Sequence, residues 1–212
     1  MDHSIVLEDL TIRYGTFTAV DGLSLAVRPG EVFGLLGPNG AGKTTTFLCL
    51  THQVAASAGR ALMLGHDLAR DFDAVKPRFG YVPDVENHFD ELSAGQNLRI
   101  FADLYRVDHA AIDACLDRVE LLREKHLPVR AFSKGMRKKL LLARELLHAP
   151  EVLLLDDPLG SLDPAARDEL VTLLRELGTQ ATVVMTTDQP ADAKAACDLV
   201  AVLEDGHLVT AP

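Results

Sequence analysis

Gly37-Pro38-Asn39-Gly40-Ala41-Gly42-Lys43-Thr44 fits the pattern G-x-x-x-x-G-K-[ST]. The apolar run Glu31 to Leu36 comes before it and reads as a buried strand; Lys43 to Leu50 comes after it and reads as a helix. Glycines let the backbone curl so that successive N–H groups point inward, and the N-terminus of the following helix adds the positive end of its dipole. Such a loop cradles phosphate, with Lys43 reaching the outer phosphates and the Thr44 hydroxyl able to ligate Mg²⁺. A glycine turn with an incidental lysine would need neither the strand before nor the helix after. A magnesium–nucleotide site also needs a carboxylate at the end of a neighbouring buried strand, and Val152-Leu153-Leu154-Leu155-Asp156 supplies it. Four apolar residues and an acid are common sequence alone, but beside this loop they become specific.

Outward from the loop, Thr11, Gly15, Gly22 and Pro29-Gly30 divide the first thirty residues into short alternating pieces, read as antiparallel strands. Further short strands are expected at 59–64 and 79–82. From about 92 to 149 the period becomes helical: Ile100, Phe101, Leu104 and Tyr105 form one apolar face, and Ile112, Cys115, Leu116 and Val119 another. Both are expected to be packing faces. Strands return at Val152 to Asp156 and Thr182 to Thr186, separated by a helix from Pro164 to Leu177. The chain closes with Leu199 to Leu203, a Glu204-Asp205-Gly206 turn and Leu208-Val209, a hairpin signal. Strand–helix alternation around an all-helical middle predicts an α/β core carrying a helical lobe, in one domain over 1–212 with the lobe at roughly 86–149.

Composition narrows the function. The 212 residues are 48% hydrophobic and 25% charged, an ordinary globular balance. A net charge of -10 argues against nucleic acid as a partner, because phosphate backbones are held by clustered cations and Arg137-Lys138-Lys139 is the one basic run in view. Unbroken apolar stretches reach four or five residues, against about 20 for a membrane span. Met1-Asp2-His3-Ser4 shows no secretory signal, and Cys49, Cys115 and Cys197 read as reduced thiols of a cytoplasmic protein. The scattered histidines suggest no structural metal site.

With these motifs in place, the sequence resembles the ATP-binding cassette (ABC) ATPases along nearly its whole length. Arg13-Tyr14-Gly15 looks like the loop whose aromatic ring stacks on adenine, and Ala19-Val20 and Gly22-Leu23-Ser24-Leu25 continue that pattern. Phe132-Ser133-Lys134-Gly135-Met136-Arg137 stands where the family's signature loop belongs, and its Ser-Lys-Gly-Met form is similar to cassettes of ABC-2 type exporters. Pro158 to Pro164, with Ser161-Leu162-Asp163, resembles the loop linking two sites across a cassette dimer. The resemblance implies a P-loop NTPase core with a mixed sheet, an N-terminal antiparallel β subdomain and an inserted α-helical subdomain. It implies ATP and Mg²⁺ as ligands. Tyr14, Gly37, Pro38, Asn39, Gly40, Ala41, Gly42, Lys43, Thr44 and Thr45 would bind nucleotide on this chain, Ser133 and Gly135 would serve nucleotide held by a second cassette, and Thr44 and Asp156 would hold the metal. The implied partners are a second cassette, in a homodimer or a heterodimer, and a polytopic membrane subunit, which would hold the chain at the cytoplasmic face of a membrane.

Three positions depart from the family pattern, all where hydrolysis occurs. Asp157 replaces the usual Glu after the metal-binding acid, Asp84 replaces a Gln after Phe79-Gly80-Tyr81-Val82-Pro83, and Asp188 replaces a His after Met185-Thr186-Thr187. A base must come within about 3 Å of the attacking water, and Asp157 has one methylene less of reach. Carboxylates cannot donate the hydrogen bonds of an amide or imidazole. Intact binding parts and altered hydrolytic parts predict firm nucleotide binding with slow turnover. A regulatory cassette gated by nucleotide is the alternative.

Overall fold

The computed structural model of the chain describes residues 3–210. The alternating N-terminal pieces form β1 (Ile5–Tyr14) and β2 (Phe17–Val27), antiparallel and closed at the Tyr14–Phe17 pair. Next come β3 (Val32–Leu36), the helix α1 (Lys43–Leu50), β4 (Ala58–Met63), β5 (His66–Asp67), the short α2 (Phe72–Val75) and β6 (Phe79–Val82). The helical segment contains α3 (Ala94–Tyr105), α4 (Ala110–Arg118) and α5 (Lys134–Leu146). It leads back to β7 (Val152–Leu155), α6 (Pro164–Gly178), β8 (Thr182–Thr187), α7 (Pro190–Ala196), β9 (Leu199–Glu204) and β10 (His207–Thr210).

Two sheets result. A four-stranded antiparallel sheet runs β2-β1-β4-β5, and a six-stranded sheet runs β10-β9-β3-β8-β7-β6. In the second, β9, β3, β8, β7 and β6 are parallel and β10 returns antiparallel at the edge. All residues of β7 and β8 are buried, as expected of parallel strands covered on both faces. Strand alternation sends Leu153, Leu155, Val183 and Met185 into a core shared with α3 to α6. It sends Phe33, Leu35, Val152, Leu154 and Val184 into a second core with α1 and the antiparallel sheet. The mixed sheet with an antiparallel N-terminal sheet is the architecture expected from the sequence.

The expected α4 face is buried through Ile112, Cys115, Leu116 and Val119. The expected α3 face needs correction. Ile100 and Leu104 are exposed (39% and 69%), and the buried side of α3 is Ala94, Asn97, Leu98 and Ala102, with Phe101 and Tyr105 half-buried beside it. Small alanines let α3 approach its neighbours on that side, so the large apolar residues one step around the helix stay outside. The Arg137-Lys138-Lys139 run is likewise internal. Arg137 pairs with Asp90 at 2.7 Å, Lys138 with Asp84 at 3.2 Å, and Lys139 with Glu120 and Glu169 at 2.9 and 2.8 Å.

Candidate functional site

The loop after β3 opens at the carboxyl edge of the parallel strands, where α/β sheets bind ligands. Its N-terminal end is anchored by the Gly37 N–H, which donates to the Thr187 carbonyl at 3.1 Å on the neighbouring β8. Gly42 caps α1 in the left-handed region, at φ 98°, and a Cβ there would stand 2.5 Å from the Ala19 carbonyl oxygen of β2. Only glycine meets both demands, so the loop and the antiparallel sheet are fitted to each other. Pro38, Asn39 and Gly40 are exposed at the loop's outer turn, Ala41 is buried beneath it, and Thr45 is half-buried on α1.

Lys43 curls back over the loop, its Nζ donating to the carbonyls of Gly37 (2.6 Å) and Pro38 (2.9 Å). Burial lowers its pKa, opposed by the charges of Asp188, Asp156 and Asp157. Thr44 donates its hydroxyl to Asp156 Oδ1 at 3.2 Å, and Thr186 donates to the same oxygen at 2.6 Å. Thr186 Oγ1 also accepts the Asp157 N–H at 2.9 Å. This hydroxyl therefore fixes two consecutive acids.

Sheet order sets how far each acid lies from the loop. From β3 the strands run β8, β7, β6, and the residues just beyond them include Asp188, then Asp156 and Asp157, then Asp84. At about 4.8 Å per strand, β6 lies roughly 14 Å from β3. Asp188, Asp156 and Asp157 therefore act on Lys43, and Asp84 is turned to Lys138. The Asp157 carboxyl is pushed above its usual pKa by burial and by the charges of Asp84, Asp188 and Asp156, with Lys138 opposing. Its carboxylate lies against Gly160, where any Cβ would collide with it.

Tyr14 is partly exposed at the tip of the β1–β2 hairpin, beside the more exposed Phe17. Ser133 and Gly135 stand at the N-terminus of α5, where Ser133 Oγ accepts the Met136 N–H at 3.2 Å. Among the described residues no hydrogen bond joins either of them to the loop at 37–45. Sequence reading assigned no role to Thr186, Gly160 or Lys138. Thr186 had a signal, a hydroxyl following the apolar run Val183-Val184-Met185; Lys138 was masked by the basic residues on each side of it.

A family model described as ABC transporter matches residues 20–160. The chain belongs to the ABC transporter family. Over 208 residues it is 38% identical to the Nod factor export ATP-binding protein I of Ralstonia nicotianae, covering 96% of this chain and 65% of that protein. It is also 38% identical to the daunorubicin resistance ATP-binding protein DrrA3 of Streptomyces coeruleorubidus, covering 98% of this chain and 67% of the relative. The chain thus spans about two thirds of the length of these relatives. A solved structure of cbiO1 from Clostridium perfringens, part of the ABC transporter complex cbiONQ, superposes with a TM-score of 0.89 at 27% identity, over 99% of this chain and 88% of that one. The family and the ATP-binding-cassette fold agree with the sequence resemblance, down to export-type relatives.

Proposed function

We propose that this ABC cassette binds MgATP to close against a second cassette and so drives movement of a substrate through a separate membrane subunit, with slow hydrolysis at its own site. The observation that carries this reading is the Thr44–Asp156 contact at the mouth of the 37–44 loop. It sets two hard oxygen donors beside the Lys43 ammonium, a donor set that suits a magnesium ion held with nucleotide phosphates. Bound there, Mg²⁺ would neutralise phosphoryl charge. The chain's own residues do the rest: loop N–H groups hold phosphate, Lys43 leaves the Gly37 and Pro38 carbonyls for it, and Thr186 keeps Asp156 and Asp157 in register.

Slow turnover follows from the acids. Asp188 and Asp157 bring anions to a place where charge develops on the transferring phosphoryl group, and donors are what that charge needs. The Asp157 pKa is raised first by burial and then by the same crowding of Asp84, Asp188 and Asp156.

No described helix is long and apolar enough to cross a membrane; the proposed transport runs through a membrane partner. An open groove of about 630 Å³, lined by Phe72, Phe79, Tyr81, Leu104, Tyr105 and His148 among others, supports one. Val85 (76%), Phe89 (49%), Ile100 and Leu104 leave apolar surface exposed in the same part of the chain, a mark of interaction surfaces. On this reading the membrane subunit holds the protein at the cytoplasmic face of a membrane.

Lys43→Ala tests the site. Losing a charge-assisted contact worth about 1.5–3 kcal/mol should weaken MgATP binding at least tenfold by calorimetry. Equal binding by Lys43→Ala would refute the phosphate-loop assignment. Phosphate release by the unmodified chain near 1–10 s⁻¹, a typical enzyme rate, would refute slow hydrolysis. Binding with no release at all would favour the nucleotide-gated regulatory cassette.

A further inference from the structure

Lys138 lies one turn into α5, its side chain 2% exposed. A lysine is almost never so buried unless its charge is paired. Its ammonium has three protons and three acceptors: Asp84 Oδ1 at 3.2 Å, the Asp84 carbonyl at 3.3 Å and the Asp157 carbonyl at 3.2 Å. The loop after β6, the loop after β7 and the first turns of α5 therefore meet at one nitrogen.

Asp157 needs such a tie. It is held at φ 44°, in the left-handed region that non-glycine residues seldom occupy. Its N–H is bound by Thr186, and its carbonyl accepts from Lys138 Nζ at 3.2 Å and from the Gly160 N–H at 3.2 Å. Releasing Lys138 leaves the carbonyl, among the described residues, to the Gly160 N–H, in a strained turn whose side chain is pressed against that same glycine. The Asp84 side chain, 61% exposed, has the opposite need: it can be solvated without Lys138, whereas Lys138 cannot be solvated without moving α5.

We propose that Lys138 is a positioning residue for Asp157, its ammonium clamping the Asp157 carbonyl while Asp84 serves as its counter-ion and not as a contact to the attacking water. The proposal rests on the nucleotide-hydrolysis reading only for its effect on rate; the clamp itself exists without nucleotide. It also explains Asp84: a carboxylate there balances a buried cation that an amide could not.

The test compares Lys138→Met, Asp84→Asn and the double variant in the full chain. Methionine fills much of the lysine's volume and leaves no buried charge. Hydrogen exchange should rise at least tenfold at the amides of Asp157, Leu159 and Gly160 in Lys138→Met and stay unchanged at 140–146 within α5. Phosphate release at saturating MgATP should fall at least tenfold, with MgATP affinity by calorimetry held within threefold. The double variant should match Lys138→Met alone in both readouts, since Asp84 acts through Lys138. Unchanged exchange at 157–160 would overturn the clamp, as would faster exchange throughout α5, which marks a merely structural lysine. Effects of the two single changes that multiply in the double variant would overturn the counter-ion role. A chain that binds no MgATP would refute the nucleotide reading while the exchange data still decide the clamp.

Discussion

At the scale of single residues, the site is an exercise in holding charges that repel. Asp156 is fixed by two hydroxyls, Asp157 by a hydroxyl at one end and an ammonium at the other, and Asp188 is exposed. The same crowded region contains one histidine whose titration can be followed. His88 Nε2 donates to the Arg137 carbonyl at 3.0 Å, and burial pushes its pKa down from 6.5 to about 4; that hydrogen bond and Asp90 oppose the shift, while Arg144 and Arg137 add to it. The folded state favours neutral His88, and the unfolded chain takes up the proton first. Stability present above pH 6.5 is therefore lost as pH falls towards about 4. Denaturant melts between pH 7 and 4 should show this acid-side loss reduced in His88→Gln, which keeps a donor without titrating; an identical pH slope would remove His88 as the cause. The 37–44 loop between its strand and helix, and Asp156 at the end of β7, were legible in the sequence because each is local, a run of residues and the element on either side. Lys138 was not, because its burial depends on acceptors 54 and 19 residues away.

Among the secondary elements, α1 and α6 lie close to the expected Lys43 to Leu50 and Pro164 to Leu177, whereas the cap and the buried face of α3 were not read. α3 begins with a reciprocal cap: Ser93 Oγ accepts the Gln96 N–H at 3.2 Å, and Gln96 Oε1 accepts the Ser93 N–H at 2.9 Å. Inside its first turns, Asn97 is 2% exposed and binds the Phe89, Leu92 and Ser93 carbonyls while accepting the Phe89 N–H. This ties the 84–93 segment to the helix. Ser93→Ala should cost about 1 kcal/mol, a fall in Tm of roughly 2–4 °C for a domain of this size, with MgATP affinity unchanged because the cap makes no contact with the 37–45 loop. A loss of affinity equal to the loss of stability would mean that α3 reaches the nucleotide site. The exposed Ile100 and Leu104 show why the face was misread: periodicity reports where apolar residues recur, but small residues decide which side can come close. The two-residue β5 and the four-residue α2 gave no period to detect at all.

For the whole molecule, the open question is where the α5 N-terminus points its donors. A helix start leaves N–H groups without intrahelical partners, and here Ser133 is exposed and occupied only in capping Met136. Among the described residues the 37–45 loop makes no hydrogen bond with it, and on the proposed reading the phosphate it serves is held by a second cassette. On that reading, two copies of this chain would bring together a net charge of -10 each, before the nucleotide charges are counted, and their closure would rely on groups that grip phosphate directly. Added salt should screen the long-range repulsion and help closure, provided those short contacts survive. Ser133→Arg should fill the phosphate-binding end with a bulky side chain. Sedimentation with MgATP should then show the closed pair abolished, while calorimetry on the separated chain gives an affinity within threefold of the unmodified protein. Equal weakening in the separated chain would place Ser133 at its own nucleotide and end the two-chain reading. An undiminished pair would show that closure does not pass through the α5 N-terminus.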